Sequence, residues 1–164
     1  MGTSLAEIDV RHTAVDNPEA AELLREYVTD LVRRSNGSEP TAAEVDAAQA
    51  EQPNDDLSPP DGAFLLAYTA GRAAGCVGIR RLDTHTWELK RMFVRPSGRG
   101  LGIGRALLEA AEERARESGA HTMVLDTRSD LIEARTLYAA HGYAEVSDYN
   151  SNVHADHWFA KLLT

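Results

Sequence analysis

Polar and apolar residues alternate along "LAEIDVRH", with Leu5, Glu7 and Asp9 set against Ala6, Ile8 and Val10, and this predicts a short first strand. The period then lengthens. Leu23, Leu24, Tyr27, Val28 and Leu31 recur at helical spacing, with Asp16 or Asn17 to cap the helix, Pro18 in its first turn and "SNGSEP" to stop it. "TAAE" at 41–44 has the form of a capping box and opens a second helix to about Gln52. "QPNDDLSPPDG" predicts a polar, mobile loop. From Phe64 the pattern becomes that of strands. "FLLAYTA", a "GRAAG" turn, "CVGIRRL", a "DTHT" turn and "WELKRMFV" predict an antiparallel meander that Pro96 ends.

A glycine-rich turn follows, and then a helix over 103–118 in which Ile103, Leu107, Ala111 and Ala115 form the buried stripe and Gly119 the stop. Its segment "EAAEERARES" is read as a charged outer face on which residues from Glu112 to Arg116 pair in solvent. "HTMVLDT" predicts a buried strand, 130–141 a helix stopped by Gly142, and "YAEVS" and "HWFAKLL" two last strands. With no internal repeat and no break in composition, residues 1–164 are read as one mixed α/β domain.

The formal charge of −9, from 26 acidic against 17 basic residues, argues against a nucleic-acid partner. It suits either a cationic acceptor or simple solubility. Cys76 is the single cysteine, so no intramolecular disulfide is possible. The opening "MGTSLAEIDVRHTAVD" has no apolar signal core, and no apolar run approaches the ~20 residues of a membrane span. A cytoplasmic protein without membrane contact is the expectation.

The chemistry concentrates in "RPSGRGLGIGRALLEAAEERAR" at 95–116. Backbone N–H groups at a helix start are unpaired and lie at the positive end of the helix dipole, which makes them an anion site. Gly100, Gly102 and Gly104 let a phosphate approach the main chain there, and Arg99 and Arg105 add charge. A Walker A loop is excluded because no Lys-Ser or Lys-Thr pair follows the glycines. A dinucleotide fingerprint fails because Arg105 and Leu107 stand where its last glycine or alanine belongs, although Asp126 could imitate its acidic ribose ligand.

What the residues do fit is R-x-x-G-x-G, formed by Arg99, Gly102 and Gly104 between the strand "LKRMFV" and a helix. A second motif, A-x-x-L-Y-x-x-x-G-Y, is formed by Ala134, Leu137, Tyr138, Gly142 and Tyr143. With both motifs in this order, residues 62–163 resemble the GNAT superfamily of acetyl-CoA-dependent N-acetyltransferases. The resemblance implies a mixed, mostly antiparallel central sheet flanked by helices, in the order β-α-α-β-β-β-α-β-α-β-β. It implies acetyl-CoA as co-substrate, an amine acceptor, direct acetyl transfer and no metal; a homodimer also fits the family. The cofactor contacts it implies are Met92, Phe93 and Val94 along the pantetheine arm, Arg99, Gly100, Leu101, Gly102, Ile103, Gly104 and Arg105 around the pyrophosphate, and Ala134 and Leu137 on the next helix.

For catalysis the resemblance assigns Tyr138 as the acid that protonates the departing thiolate; by spacing alone, Tyr138 would be a core aromatic. Glu88, eleven positions before Arg99, matches the base of the histone-acetylating branch. Its plainer reading is a salt bridge to Arg80, Lys90 or Arg91. One departure from the family stands at Leu131, seven positions before Tyr138, where many members carry Asn or Gln. Arg128, Ser129 and Asp130 are the polar neighbours available to compensate.

The connection "SDYNSNVHADHW" offers Asp148, Tyr149, Asn150, His154, Asp156 and His157 either as an acceptor site or as a solvated hairpin loop. His154 and His157 lack a convincing third metal ligand. Besides the enzyme, a non-catalytic acyl-CoA-binding module shares these motifs, with a dinucleotide-binding protein as the remote alternative.

Overall fold

The computed structural model describes residues 7–163, so Leu5 and Ala6 of the first predicted strand lie outside the described residues. Strand β1 covers Ile8–His12, and the meander consists of β2 (Gly62–Thr69), β3 (Arg72–Arg81) and β4 (Thr86–Val94). Each of these strands pairs antiparallel with its predecessor. The β2–β3 turn is tighter than "GRAAG" suggests. Only Ala70 and Gly71 form it, both at positive φ (51° and 76°), the geometry whose twist matches a two-residue hairpin. The β3–β4 turn is closed by Asp83, whose Oδ1 accepts from the backbone N–H groups of His85 (2.9 Å) and Thr86 (2.8 Å).

Helices α1 (Pro18–Asn36) and α2 (Ala42–Glu51) lie between β1 and β2. The Asn17 side chain caps α1, Gly37 ends it in the left-handed conformation, and the capping box of Thr41 and Glu44 forms in both directions. After β4 come α3 (Ile103–Glu117), β5 (Thr122–Thr127), α4 (Ile132–Ala140), β6 (Ala144–Val146) and β7 (His157–Leu162). The element order is the one that the sequence implies.

The seven strands make one sheet in the order β1-β2-β3-β4-β5-β7-β6, in which only β4 and β5 run parallel. Each face of the sheet has its own core. On one, Leu107, Leu108 and Ala111 of α3 pack with Trp87, Met123 and Leu125; on the other, Ala20, Leu23 and Leu24 of α1 pack with Phe64, Leu66 and Phe93. The stretch expected to be a polar loop contributes Leu57, 1% exposed, to the second core. Gly78 makes room for it, since a Cβ there would sit 2.6 Å from Leu57 Cδ1.

A correction also applies to α3. Glu112 is not a surface residue but is buried, accepting from the Tyr143 hydroxyl (2.9 Å) and Lys161 Nζ (2.8 Å). A buried carboxylate is tolerated because hydrogen bonds and a cation replace the lost water.

Two departures from regular pairing open the sheet for function. Strands β4 and β5 pair only at Thr86–Thr122, Trp87–Met123 and Glu88–Val124. Beyond Glu88, β4 remains with β3 while β5 remains with β7, and the facing edges separate. On its paired side β4 also carries a bulge. The register against β3 shifts between Cys76 and Gly78, and Arg91 adopts φ 58°.

Candidate active site

Gly100 (φ 81°) and Gly102 (φ 85°) turn the chain into α3 through left-handed conformations that a side chain disfavours. Gly102 is the N-cap and no side chain caps the helix; its first intrahelical bond runs from Ala106 N to Gly102 O at 3.0 Å. The N–H groups of 103–105 therefore remain without helical partners. Gly104 serves differently. A Cβ there would lie 3.2 Å from Leu137 Cδ2, so its missing side chain lets α3 and α4 approach.

A groove of about 340 Å³ leads from this turn along the open edge of β4. Of the twelve residues expected around the cofactor, eleven line it: Met92, Phe93, Val94, Arg99, Gly100, Gly102, Ile103, Gly104, Arg105, Ala134 and Leu137. Leu101 is the exception. It is 58% exposed and lies outside the lining, so the turn offers only its backbone. Arg105 is paired with Glu109 at 2.9 Å, and Arg99 Nε donates to Val94 O at 3.2 Å, which holds its guanidinium beside the groove.

A second cavity, about 540 Å³, occupies the wedge between β4 and β5. Tyr27, Met92, Leu131 and Ala134 line both spaces, so the two meet at those side chains. Tyr138 lines the wedge next to that junction. Its ring packs against Tyr143 and Phe159 at 5.8 and 6.4 Å between centroids. Burial, with the nearby Tyr27 and Asp126 as lesser causes, pushes its phenol well above the ordinary range. The group stays protonated at any working pH.

Residues 13–143 match the acetyltransferase (GNAT) family. The chain belongs to that family. An uncharacterized N-acetyltransferase of Schizosaccharomyces pombe is 33% identical over 132 residues, covering 79% of this chain and 77% of that protein. An IAA acetyltransferase of Azospirillum brasilense is 41% identical over 91 residues; the match spans 54% of this chain and 59% of that protein's length. Among solved structures, the PaiA N-acetyltransferase of Thermoplasma acidophilum in complex with coenzyme A superposes with a TM-score of 0.72. It shares 19% identity and covers 95% of this chain and 99% of its own, so the likeness is one of fold.

Within this GNAT domain the two expected catalytic residues occupy different settings. Glu88 is 1% exposed and is not among the residues lining the wedge. Its Oε1 accepts from Arg80 at 2.8 Å with Lys90 Nζ at 3.6 Å, and its Oε2 accepts from the Tyr149 hydroxyl at 2.5 Å and Asn150 Nδ2 at 3.3 Å. Among the carboxylates that do line the wedge, Asp126 is the one on β5, two residues past the last β4–β5 pair. Asn150 and Asn152 donate to its Oδ2 at 2.5 and 3.2 Å.

The sequence reading gave Asp126 no role on the GNAT fold, although a lone acid in the apolar run "HTMVLDT" was a signal. Tyr27 was read as helix stripe, and it does pack partly against the core while also facing the junction. The family's polar position is filled by Leu131, which brings only apolar surface to both spaces. Of its polar neighbours, Arg128 lines the wedge and is paired with Asp130. His154 lines the wedge, whereas His157 sits between Glu145 (3.3 Å) and Ser129 Oγ (3.2 Å). The two histidines thus serve different surroundings.

Proposed function

We propose that this chain transfers acetyl from acetyl-CoA directly to the nitrogen of a small primary amine. The observation that carries the reading is the meeting of a backbone-lined groove and a polar wedge at Tyr27, Met92, Leu131 and Ala134. Bound acetyl-CoA supplies an acetyl group activated as a thioester.

The unpaired N–H groups of 103–105, assisted by Arg99 and Arg105, hold the pyrophosphate. The open edge of β4 at Met92–Val94 receives the pantetheine amides as an added strand would. Placing amine and thioester together at the junction supplies the entropic part of the acceleration.

An alkyl ammonium near pKa ~10 must lose a proton before it can attack. Asp126 faces the wedge and takes that proton, directly or through water. The nitrogen then bonds to the thioester carbon and the C–S bond breaks. Tyr138 gives its proton to the sulfur; of the two protons lost by the nitrogen, one restores Tyr138 through solvent and the other is released from Asp126, so that amide, free thiol and one net proton result. Glu88 acts in this reading as a positioning residue: its Oε2 fixes Tyr149 and Asn150, and Asn150 in turn holds Asp126.

Calorimetric titration with acetyl-CoA, with NADH as control, followed by thiol release against a panel of amines, tests the proposal. Tyr138→Phe should lower kcat by about 10²-fold with little change in acetyl-CoA affinity, the scale of a lost general acid. Asp126→Asn should lower kcat by about 10²-fold, the scale of a lost general base. Binding without thiol release for any amine would leave an acyl-CoA-binding module; absence of binding would reject the groove.

A further inference from the structure

Strand alternation should send Lys90 and Arg91 to opposite faces of the sheet. Both line the wedge, as do Leu89 and Met92 beside them, because the splayed edge of β4 is open to it, and the bulge holds Arg91 at φ 58°. A non-glycine residue in that region carries backbone strain of about 1–3 kcal/mol, and such strain gathers at functional sites. The residue that carries it here contributes a guanidinium to the wall of the wedge.

The charge on Arg91 is also unmatched. Arg80 is paired with Asp56 (2.5 Å) and Glu88, and Arg128 with Asp130. Arg91 Nε instead donates to a neutral acceptor, Asn54 Oδ1, at 2.9 Å, and among the described residues no carboxylate lies within ion-pair distance of it. Asn54 fixes the plane of the guanidinium and leaves its two terminal nitrogens for something else. A half-buried cation held without a counter-charge is a site prepared for an anion, and the fork of Arg matches a carboxylate or phosphonate.

The same cavity has Asp126 on the β5 wall. Arg91 on β4 and Asp126 on β5 thus put opposite charges on the two splayed strands, among the other charged side chains that line the wedge. Glu51 and Asp55, which also line it, are exposed residues at the end of α2 and in the following loop.

Resting on the acetyl-transfer reading above, we infer that the acceptor is a small amino acid-like zwitterion whose oxyanion binds Arg91 while its nitrogen faces Asp126 at the junction. The overall acidity of the chain points to a purely cationic acceptor; the wedge, lined by four acidic and four basic side chains, does not.

The test compares kcat/KM for matched acceptors: 3-aminopropanoate and 3-aminopropylphosphonate against propylamine and 3-aminopropanol. Wild type should prefer the anionic members at least 10-fold, and the carboxylate and phosphonate arms show which oxyanion fits. Arg91→Gly should reduce the preference by about 10- to 100-fold, the scale of one or two charge-assisted hydrogen bonds. Glycine accepts φ 58° without strain, so this variant should fold with an unchanged or higher Tm. Arg91→Lys, which keeps the charge but loses the fork, should retain part of the preference.

Amines without an oxyanion used as well as those that carry one, or a preference unmoved by Arg91→Gly, would overturn the inference while leaving acetyl transfer standing. If no acceptor releases thiol although acetyl-CoA binds, the transfer reading falls instead. The anion site is then read by titrating 3-aminopropanoate and 3-aminopropylphosphonate into the coenzyme A complex, where equal or absent binding in wild type and Arg91→Gly would overturn it.

Discussion

Glu88→Gln separates a chemical role for this carboxylate from a positioning one. Every group around Glu88 donates: Arg80, Lys90, the Tyr149 hydroxyl and Asn150 Nδ2. Glutamine keeps the shape but offers one acceptor oxygen and an NH2 that must point at donors on one side. Asn150 cannot easily present its own oxygen instead, because its Oδ1 accepts from Trp158 Nε1 at 2.9 Å. Breaking one partner out of a buried ion pair costs about 3–5 kcal/mol. Arg80 is one-third exposed and keeps Asp56, so the cost falls at or below the low end of that range, about 2–3 kcal/mol. For a domain of this size that corresponds to a fall in Tm of roughly 5–10 °C. Thermal melts followed by circular dichroism give the stability, and separate kcat and KM values with a pH profile give the chemistry. A positioning role predicts the lowered Tm and a raised KM for the acceptor, with kcat changed far less than in Asp126→Asn. An unchanged Tm and acceptor KM combined with a 10²-fold loss of kcat would refute this reasoning and make Glu88 the base.

The glycines of the turn should divide by function. Gly102→Ala meets nothing closer than Ile8 Cδ1 at 3.9 Å, yet its φ of 85° opposes a side chain by about 1–2 kcal/mol, so both stability and acetyl-CoA affinity should fall. Gly104→Ala has no such strain and gains about 1 kcal/mol of helix propensity, which offsets the shift its methyl forces on Leu137, so affinity should fall with a smaller change in stability than in Gly102→Ala. Calorimetry and thermal melts on both variants check this, and wild-type affinity in both would remove the turn from the cofactor site. Cys76 is fully buried, and burial pushes its thiol up to about 12, so it stays protonated and shielded. A chromogenic thiol reagent at pH 8 should find no reactive group in native protein and one in denaturant; rapid native reaction would contradict the burial, whereas its absence gives the thiol-release assay a clean background.

The cofactor half of the site was legible because it is local. Its glycines, arginine and following helix lie within ten residues, and the constraint on each is a backbone angle or a close approach that few residue types satisfy. The acceptor half comes from segments scattered through the chain: Tyr27 on α1, Asn54 in a loop, Arg91 on β4, Asp126 on β5 and Asn150 near β7. No spacing rule joins them. Arg91 was further concealed by the bulge, since period-two reasoning assigns faces only where the ladder is regular. Glu112 shows the opposite failure. It lies four residues after Leu108 and three before Ala115, both buried, so its position signalled burial while its charge suggested solvent.

Strand β4 explains how one fold can keep its cofactor and vary its acceptor. Past Glu88 it is paired on one side only, and the open edge presents main-chain groups, which most substitutions leave in place. Side chains of the same stretch form a wall of the wedge, and there a single change alters charge or shape directly. On the proposed function, cofactor binding is thus written mainly in backbone geometry, and acceptor recognition in side chains that the backbone merely aims. The bulge at Arg91 connects the two: it puts backbone strain on a residue whose cation lines the wedge, next to a junction whose other components are set by the cofactor groove. Substitution at Arg91 should therefore change which amine is used while leaving the pyrophosphate turn intact, because that turn is held by Gly100, Gly102 and the start of α3.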